Sequence, residues 1–412
     1  MKLRTGKPLW LDSRRIPLRV SRLTREASCD VAIIGAGITG ALAAHQLLRA
    51  GCSVVVLDKR RAGYGSTAAS TGLLLFQPDT TIADLTRLHD ERTARRVYEL
   101  GRKAIRELGV LSRELKFDCG WQRKRTLYVA SRPSHTTRLK TEATRTRRIG
   151  FPATLLSAAE LQQRHQMDFP AALWEPGSAQ LHAFDLTRGV LHRAQRDTSF
   201  ALYQHTRVTS VREGPDAVTL RTDTGGKIRA RHVIVAAGYE TRQFVRSSLV
   251  RLKATYVIAG PPMDARRLRP LRCLMWETAR PYFYLRTTDD HRIIFGGADE
   301  PFDTVSSRQR TLQRKTRELE QQFASLFPAL AFSAEHAWFG AFAETTDGLP
   351  CIGPAQPGSR IFYALGYGGN GITFSQIAAR FLRDACLGKR NPDAELFAFD
   401  RLGKRARQRR LR

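Results

Sequence analysis

The chain has 412 residues, 42% of them hydrophobic and 26% charged, enough to bury a sizeable core in two domains or intertwined lobes. Its formal net charge of +30 would suit nucleic acid, an anionic surface or an acidic substrate, yet the arginines are scattered without an aromatic-interleaved stripe. They read as a solvated surface, which argues against nucleic acid as a partner. The six cysteines are far apart with no C-x-x-C pair, which argues against a disulfide framework or a metal site and for a reducing, cytoplasmic compartment.

Residues 1–28 are basic, carry Pro8, Trp10 and Pro17, and read as an extended arm over the first domain. They lack the apolar core of a secretory signal, and no later run of about 18 apolar residues predicts a transmembrane segment. Residues 31–34 read as a strand buried on both faces. Gly35, Gly37 and Gly40 follow in G-x-G-x-x-G spacing, then a helix over 38–50, Gly51, a second buried strand over 54–57, and Asp58. Gly35 permits a tight turn, Gly37 lets a pyrophosphate approach the backbone, and Gly40 lets helix and strand pack closely. The helix start supplies N–H groups and partial positive charge for an anion, and Asp58 stands where a ribose needs an acceptor.

Residues 61–75 crowd glycines with small hydroxyl residues and predict a donor-rich loop. Helical spacing of Leu85, Leu88, Val97, Leu100, Ile105 and Leu108 predicts one helix over 81–115. A strand over 126–130 and a solvated basic helix over 134–149 come next. Asp185 is placed to cap a helix over 186–196. Strands follow over 206–211 and 217–222, a Gly225-Gly226 turn toward 227–229, and a short buried strand over 232–238. Segments 281–286 and 292–297 read as a hairpin, and 305–326 as an amphipathic helix ending before Pro328. Last come a strand over 361–365, a glycine-rich turn over 366–371, a helix over 372–387 and a disordered polybasic tail.

Two glycine-rich strand-to-helix turns near opposite ends of the chain imply one nucleotide domain built from distant segments. Tyr282, Tyr284 and Arg286 alternate on one strand and share a face. They either line a pocket, where rings beside a guanidinium suit an amine that also bears a carboxylate or amide, or simply pack the sheet. Tyr367, just before the second turn, is open to the same two readings.

Taken together, residues 30–40 with Asp58, 65–70, 233–238, 346–353 and 364–373 resemble, in this order, FAD-dependent oxidoreductases of the D-amino-acid oxidase/glycine oxidase superfamily. The likeness is greatest to the bacterial branch of γ-glutamylputrescine oxidase-like enzymes, and covers about residues 29–387. It implies an α/β fold: a Rossmann-type FAD-binding domain joined to a substrate domain with an antiparallel or mixed sheet. The expected boundaries are an arm over 1–28, a discontinuous FAD-binding domain over 29–115, 180–245 and 336–390, a substrate domain over 116–179 and 246–335, and a basic tail over 391–412.

The resemblance selects FAD over NAD and implies the roles of further residues. Gly35, Ala36, Gly37, Ile38, Thr39 and Gly40 hold the pyrophosphate, with Asp58 and Lys59 at the adenosine ribose. Ser66, Thr67, Ser70 and Thr71 line flavin and phosphates, Val208 meets the adenine, and Ala237 and Gly238 lie beside the first turn. Gly368, Gly369, Asn370, Gly371, Ile372 and Thr373 present the second helix to the flavin's pyrimidine edge. The implied activity is oxidation of the C–N bond of an amine or amino acid, with Tyr282, Tyr284, Arg286 and Tyr367 as candidate catalytic residues.

Three departures matter. No cysteine stands in 339–343, where some relatives attach the flavin, so noncovalent FAD is expected. Ile294 aligns with a lysine that helps oxygen react, which leaves oxygen or another electron acceptor open. Phe342 replaces an arginine that grips a carboxylate, so either Arg286 takes the anion or the substrate is an amine without an α-carboxylate. Two rival readings are a tRNA-modifying FAD oxidase and a non-catalytic nucleic-acid-binding protein on a flavoprotein scaffold.

Overall fold

The computed structural model describes residues 4–12, 16–245, 249–302 and 308–402. The apolar run at the end of Glu26–Ile34 makes this strand the centre of an eight-stranded sheet among the described residues. Val54–Leu57 and Lys227–Val235 pair with it in parallel on either side. Phe200–Tyr203 and Ile361–Leu365 extend the parallel set, and Cys351–Pro354 closes one edge antiparallel. Residues buried on both faces, such as Val31, Ala32, Ile33 and Val233, suit a sheet covered on both sides. Helices Ile38–Leu48 and Gly371–Cys386, one from each glycine-rich turn, pack together on it. They are tied near their starts by Thr39 Oγ1 and Ser375 Oγ, 2.8 Å apart.

Among the described residues the second sheet has ten strands and is largely antiparallel, with Thr154–Ser157 paired to Ala171–Gln180 off the main run. From one edge it runs Arg4–Gly6, His336–Thr345, Val250–Ala259, Ile293–Pro301, Tyr284–Thr287, Leu274–Glu277, Gln122–Val129, Ala171–Gln180 and Leu73–Leu74. Helix Arg308–Leu326 covers part of it through Leu312, Leu319 and Phe323. The architecture is the expected α/β combination of a parallel nucleotide-type sheet and a mixed second sheet.

Several local expectations change. Residues 336–345, expected with the nucleotide sheet, pair instead with Val250–Ala259 in the other sheet. The arm does more than lie on the surface. Arg4–Gly6 forms an edge strand against His336–Thr345, and residues 26–28 belong to the central parallel strand. The helix expected over 81–115 breaks at His89-Asp90, because Thr81 caps Ile82–Leu88 and Asp90 caps Glu91–Glu114. Helix Ala183–Ala194 starts ahead of Asp185, with His182 at its N-cap, and so Asp185 sits in its first turn. The basic helix Thr136–Arg148 is not simply solvated. It buries Leu139, Ala143 and Glu142, whose carboxylate accepts the Ile82 and Ala83 N–H groups.

The tail expectation also fails for its first part. Residues 391–402 dock on the fold: Phe397 is fully buried against Phe374 and Phe381, and Arg401 bonds Asp347. Residues 403–412 lie outside the described residues.

Candidate active site

One cleft runs between the two sheets, holding about 1960 Å³ of space free of protein atoms and partly open to solvent. Both glycine-rich turns open onto it. At Gly35, φ is +115° and a Cβ would sit 2.4 Å from the Ala236 carbonyl oxygen. A Cβ on Gly40 would lie 1.9 Å from the Gly35 oxygen, so helix and strand approach as closely as the spacing predicts. Helices Ile38–Leu48 and Gly371–Cys386 both start without a side-chain cap and without an acid in the first turn. Such starts favour negative charge.

Asp58 follows the second strand and lines the cleft. Its oxygens accept the Ala36 N–H at 2.8 Å and the Arg60 N–H at 2.7 Å. Burial pushes its carboxyl up, against the pull of those bonds. Lys59 and Arg60 reach across to Glu240 at 2.8 and 2.7 Å. Burial would raise Glu240, but the bonds from Arg60 and Lys59 outweigh it and hold the carboxyl at about 2. At the second turn, Asn370 Nδ2 donates to the Gln77 oxygen at 2.8 Å, and Thr373 Oγ1 donates to the Leu75 oxygen at 3.0 Å. These bonds pin residues 75–77 to the helix start.

The far end is walled by side chains from strands and from the loops beside them. Trp276, Tyr282 and Tyr284 form a group of rings, with centroids 6.0 Å apart from Trp276 to Tyr282 and from Tyr282 to Tyr284. Burial pushes the cleft tyrosines 282, 284 and 367 above the ordinary phenol range. Two carboxylates share this end. Asp79 accepts the Gly369 N–H at 2.5 Å and the Tyr282 hydroxyl at 3.4 Å. Asp299 stands beside Thr255, and burial pushes its carboxyl up to about 6. Phe342 completes the wall.

Every sequence-predicted cofactor residue lines this cleft except Ala36, Gly40 and Thr373. Of the four candidate catalytic residues, Tyr282, Tyr284 and Tyr367 line it; Arg286 does not. Strand alternation put Arg286 on the Tyr284 face, but Trp10 from the N-terminal arm covers that position. The guanidinium lies 5.1 Å from the Trp10 ring centroid, fully buried, and none of its nitrogens has a hydrogen-bond partner among the described residues. Burial lowers it to about 9. Trp10 is held in turn by its N–H donating to the Ser70 oxygen at 2.7 Å.

Ile294 is fully buried against Ala68, Ala69 and Trp338 and also misses the cleft. None of the six cysteines lines it. Sequence reasoning missed Asp79, Asp299, Trp276, Arg60 and Glu240. Asp79 sits in a loop without periodicity, and Asp299 sits in a bulge that breaks strand alternation.

The residues fit FAD on their own geometry. Two open helix starts face one cleft, the glycine cradle leaves no room for a Cβ, and the Ser66 hydroxyl is buried without a partner. Among the described residues, no helix is long and apolar enough to cross a membrane.

Comparison with known proteins agrees. The DAO family, described as FAD dependent oxidoreductase, matches residues 30–385. Gamma-glutamylputrescine oxidoreductase of Escherichia coli K12 is 27% identical over 387 residues, covering 91% of this chain and 86% of the relative. Glycine oxidase of Geobacillus kaustophilus HTA426 is 26% identical over 367 residues, covering 86% and 92%. The crystal structure of glycine oxidase from Geobacillus kaustophilus superposes with a TM-score of 0.77 at 23% identity, covering 90% of this chain and 98% of that one.

Proposed function

The chain belongs to the DAO family of FAD-dependent oxidoreductases, and from that premise we propose that it oxidises the C–N bond of an amine or amino acid. The observation that carries this reading is a single cleft joining two uncapped helix starts to a ring-lined end. FAD bound there, noncovalently, supplies a two-electron acceptor for hydride from the carbon beside nitrogen, leaving a substrate imine that water hydrolyses.

The chain's own residues set the stage for that transfer. Gly35, Gly37 and the start of Ile38–Leu48 take the pyrophosphate, and Asp58 keeps lone pairs for the ribose hydroxyls. Gly369 to Ile372 bring the positive end of the second helix to the edge where negative charge collects on reduction. Tyr282, Tyr284 and Tyr367 orient the substrate and exclude water from the reacting carbon. Phe342 offers a carboxylate no donor, and Arg286 is sealed beneath Trp10, so an amine without an α-carboxylate is the better fit. We assign reoxidation to oxygen or another acceptor, and place the protein in the cytoplasm with no nucleic-acid partner.

The test is direct. Purified protein is expected to be yellow, to release FAD on acid precipitation, and to bleach anaerobically with at least one compound from a panel of amines and amino acids. Flavin remaining in the pellet contradicts noncovalent binding. A reconstituted flavoprotein that no panel member bleaches contradicts the proposed reaction.

A further inference from the structure

The cleft is electrostatically divided. Lys59, Arg60 and Arg207 line its nucleotide end, and no lysine or arginine among the described residues lines the ring-walled end. That end holds Asp79 and Asp299, in a protein whose net charge is +30.

Asp299 is aimed by the backbone. Strand Ile293–Pro301 pairs Glu300 with Ala254 and Gly297 with Tyr256, so Ala298 and Asp299 together oppose Thr255 in a β-bulge. Ala298 takes the left-handed φ of +54° there, uncommon for a residue with a Cβ. A bulge redirects a side chain that regular alternation would send elsewhere. The Asp299 Oδ1 atom is buried without a hydrogen-bond partner, on a side chain that lines the cleft. A buried carboxylate oxygen left in that state is costly unless a ligand completes it.

The surrounding charges do not complete it. Lys253 pairs with Glu344 at 2.7 Å, and neither lines the cleft. Arg280 lies 4.8 Å from the Tyr282 ring centroid and donates to the backbone oxygen of Asp79, not to its carboxylate. Asp79 and Glu344 both push Asp299 up, whereas Thr255 and Lys253 pull it down. The same end is lined by Tyr282, Tyr284 and Trp276, aromatic rings of the kind that attract cations.

We propose that this end of the cleft recognises a second, cationic nitrogen on the substrate, with Asp79 and Asp299 as its counter-charges and the three rings as its walls. The substrate class is then a diamine or longer polyamine, whose other nitrogen, neutral at the moment of reaction, is the one oxidised. This rests on the amine-oxidation reading and sharpens it.

The experiment compares two probes with one carbon skeleton, 1,4-diaminobutane and butylamine, by anaerobic flavin reduction and steady-state kcat/KM at pH 8. The diamine is expected to exceed the monoamine by about tenfold or more. That ratio should fall as pH drops through about 6, where Asp299 takes up a proton and loses its charge. Asp299→Asn and Asp79→Asn should each lower the ratio, while Asp299→Glu should retain more of it than Asp299→Asn. The wild-type ratio stands as a test even where a variant fails to fold. A wild-type ratio near one overturns the inference and leaves amine oxidation intact. A high ratio that neither Asn variant lowers overturns the assignment to these carboxylates. If glycine, sarcosine or D-alanine outperforms both probes, the amine reading and the inference fail together.

Discussion

The two ends of the cleft are built on different principles. The nucleotide end is mostly backbone: glycine turns and uncapped helix starts drawn from short contiguous motifs, with Asp58 beside them. Glu240 there is neutralised locally by Lys59 and Arg60. The substrate end is mostly side chain, assembled from a loop at Asp79 and strands carrying Thr255, Trp276, Tyr284, Asp299 and Phe342. A backbone site tolerates little change because no substitution can restore a missing approach. A side-chain site can be retuned residue by residue, which suits one cofactor served with varied substrates.

The comparison breaks most visibly at Gly40. A valine there would drive its Cβ into the Gly35 oxygen, so Gly40→Val should give insoluble or FAD-free protein, read by absorbance of the purified chain. A yellow, stable variant would show that the first turn has slack the geometry denies.

Phe397→Ala tests whether the backbone end depends on the C-terminal segment. Phe397 is fully exposed to no solvent and packs on Phe374 and Phe381 of the second helix. Its loss should cost about 3–5 kcal/mol of stability in urea unfolding. Truncation after Arg390 should behave likewise, because it also removes Arg401 from Asp347. Unchanged stability would return the segment to the status of a tail.

Asp58→Ala should weaken FAD binding by about 1.5–3 kcal/mol, measured by titrating apoprotein with FAD. It also leaves the N–H of Ala36 without its acceptor, so a modest loss of apoprotein stability should accompany it. Unaltered FAD affinity would remove Asp58 from the cofactor site.

The first end was legible in sequence for a physical reason. Only glycine fits where a Cβ would strike a carbonyl, so Gly35 and Gly40 mark their own geometry. The second end was half legible. Tyr282 and Tyr284 were visible through strand alternation and Tyr367 through its place before the second turn, but Asp79 has no local pattern. Asp299 depends on a bulge that no alternation rule anticipates. Arg286 shows the opposite failure: its strand position was read correctly, yet Trp10, far away in sequence, covers it. Likewise, nothing in the basic composition of the tail announces that Phe397 and Arg401 find buried partners.

The smallest effect sharpens the substrate end. Thr255 helps hold the Asp299 carboxyl down. Thr255→Val should therefore raise that carboxyl further. The pH below which the diamine advantage collapses should move up from about 6 accordingly. A fixed or downward-moving midpoint would separate Asp299 from substrate recognition.

The most direct measurement compares, in one anaerobic stopped-flow series, flavin reduction by primary and secondary amines with reduction by glycine, sarcosine and D-alanine. A cleft with Phe342 on its wall and Arg286 sealed under Trp10 predicts that the best amine has the higher kcat/KM. A higher value for any of the three amino acids than for every amine would contradict it.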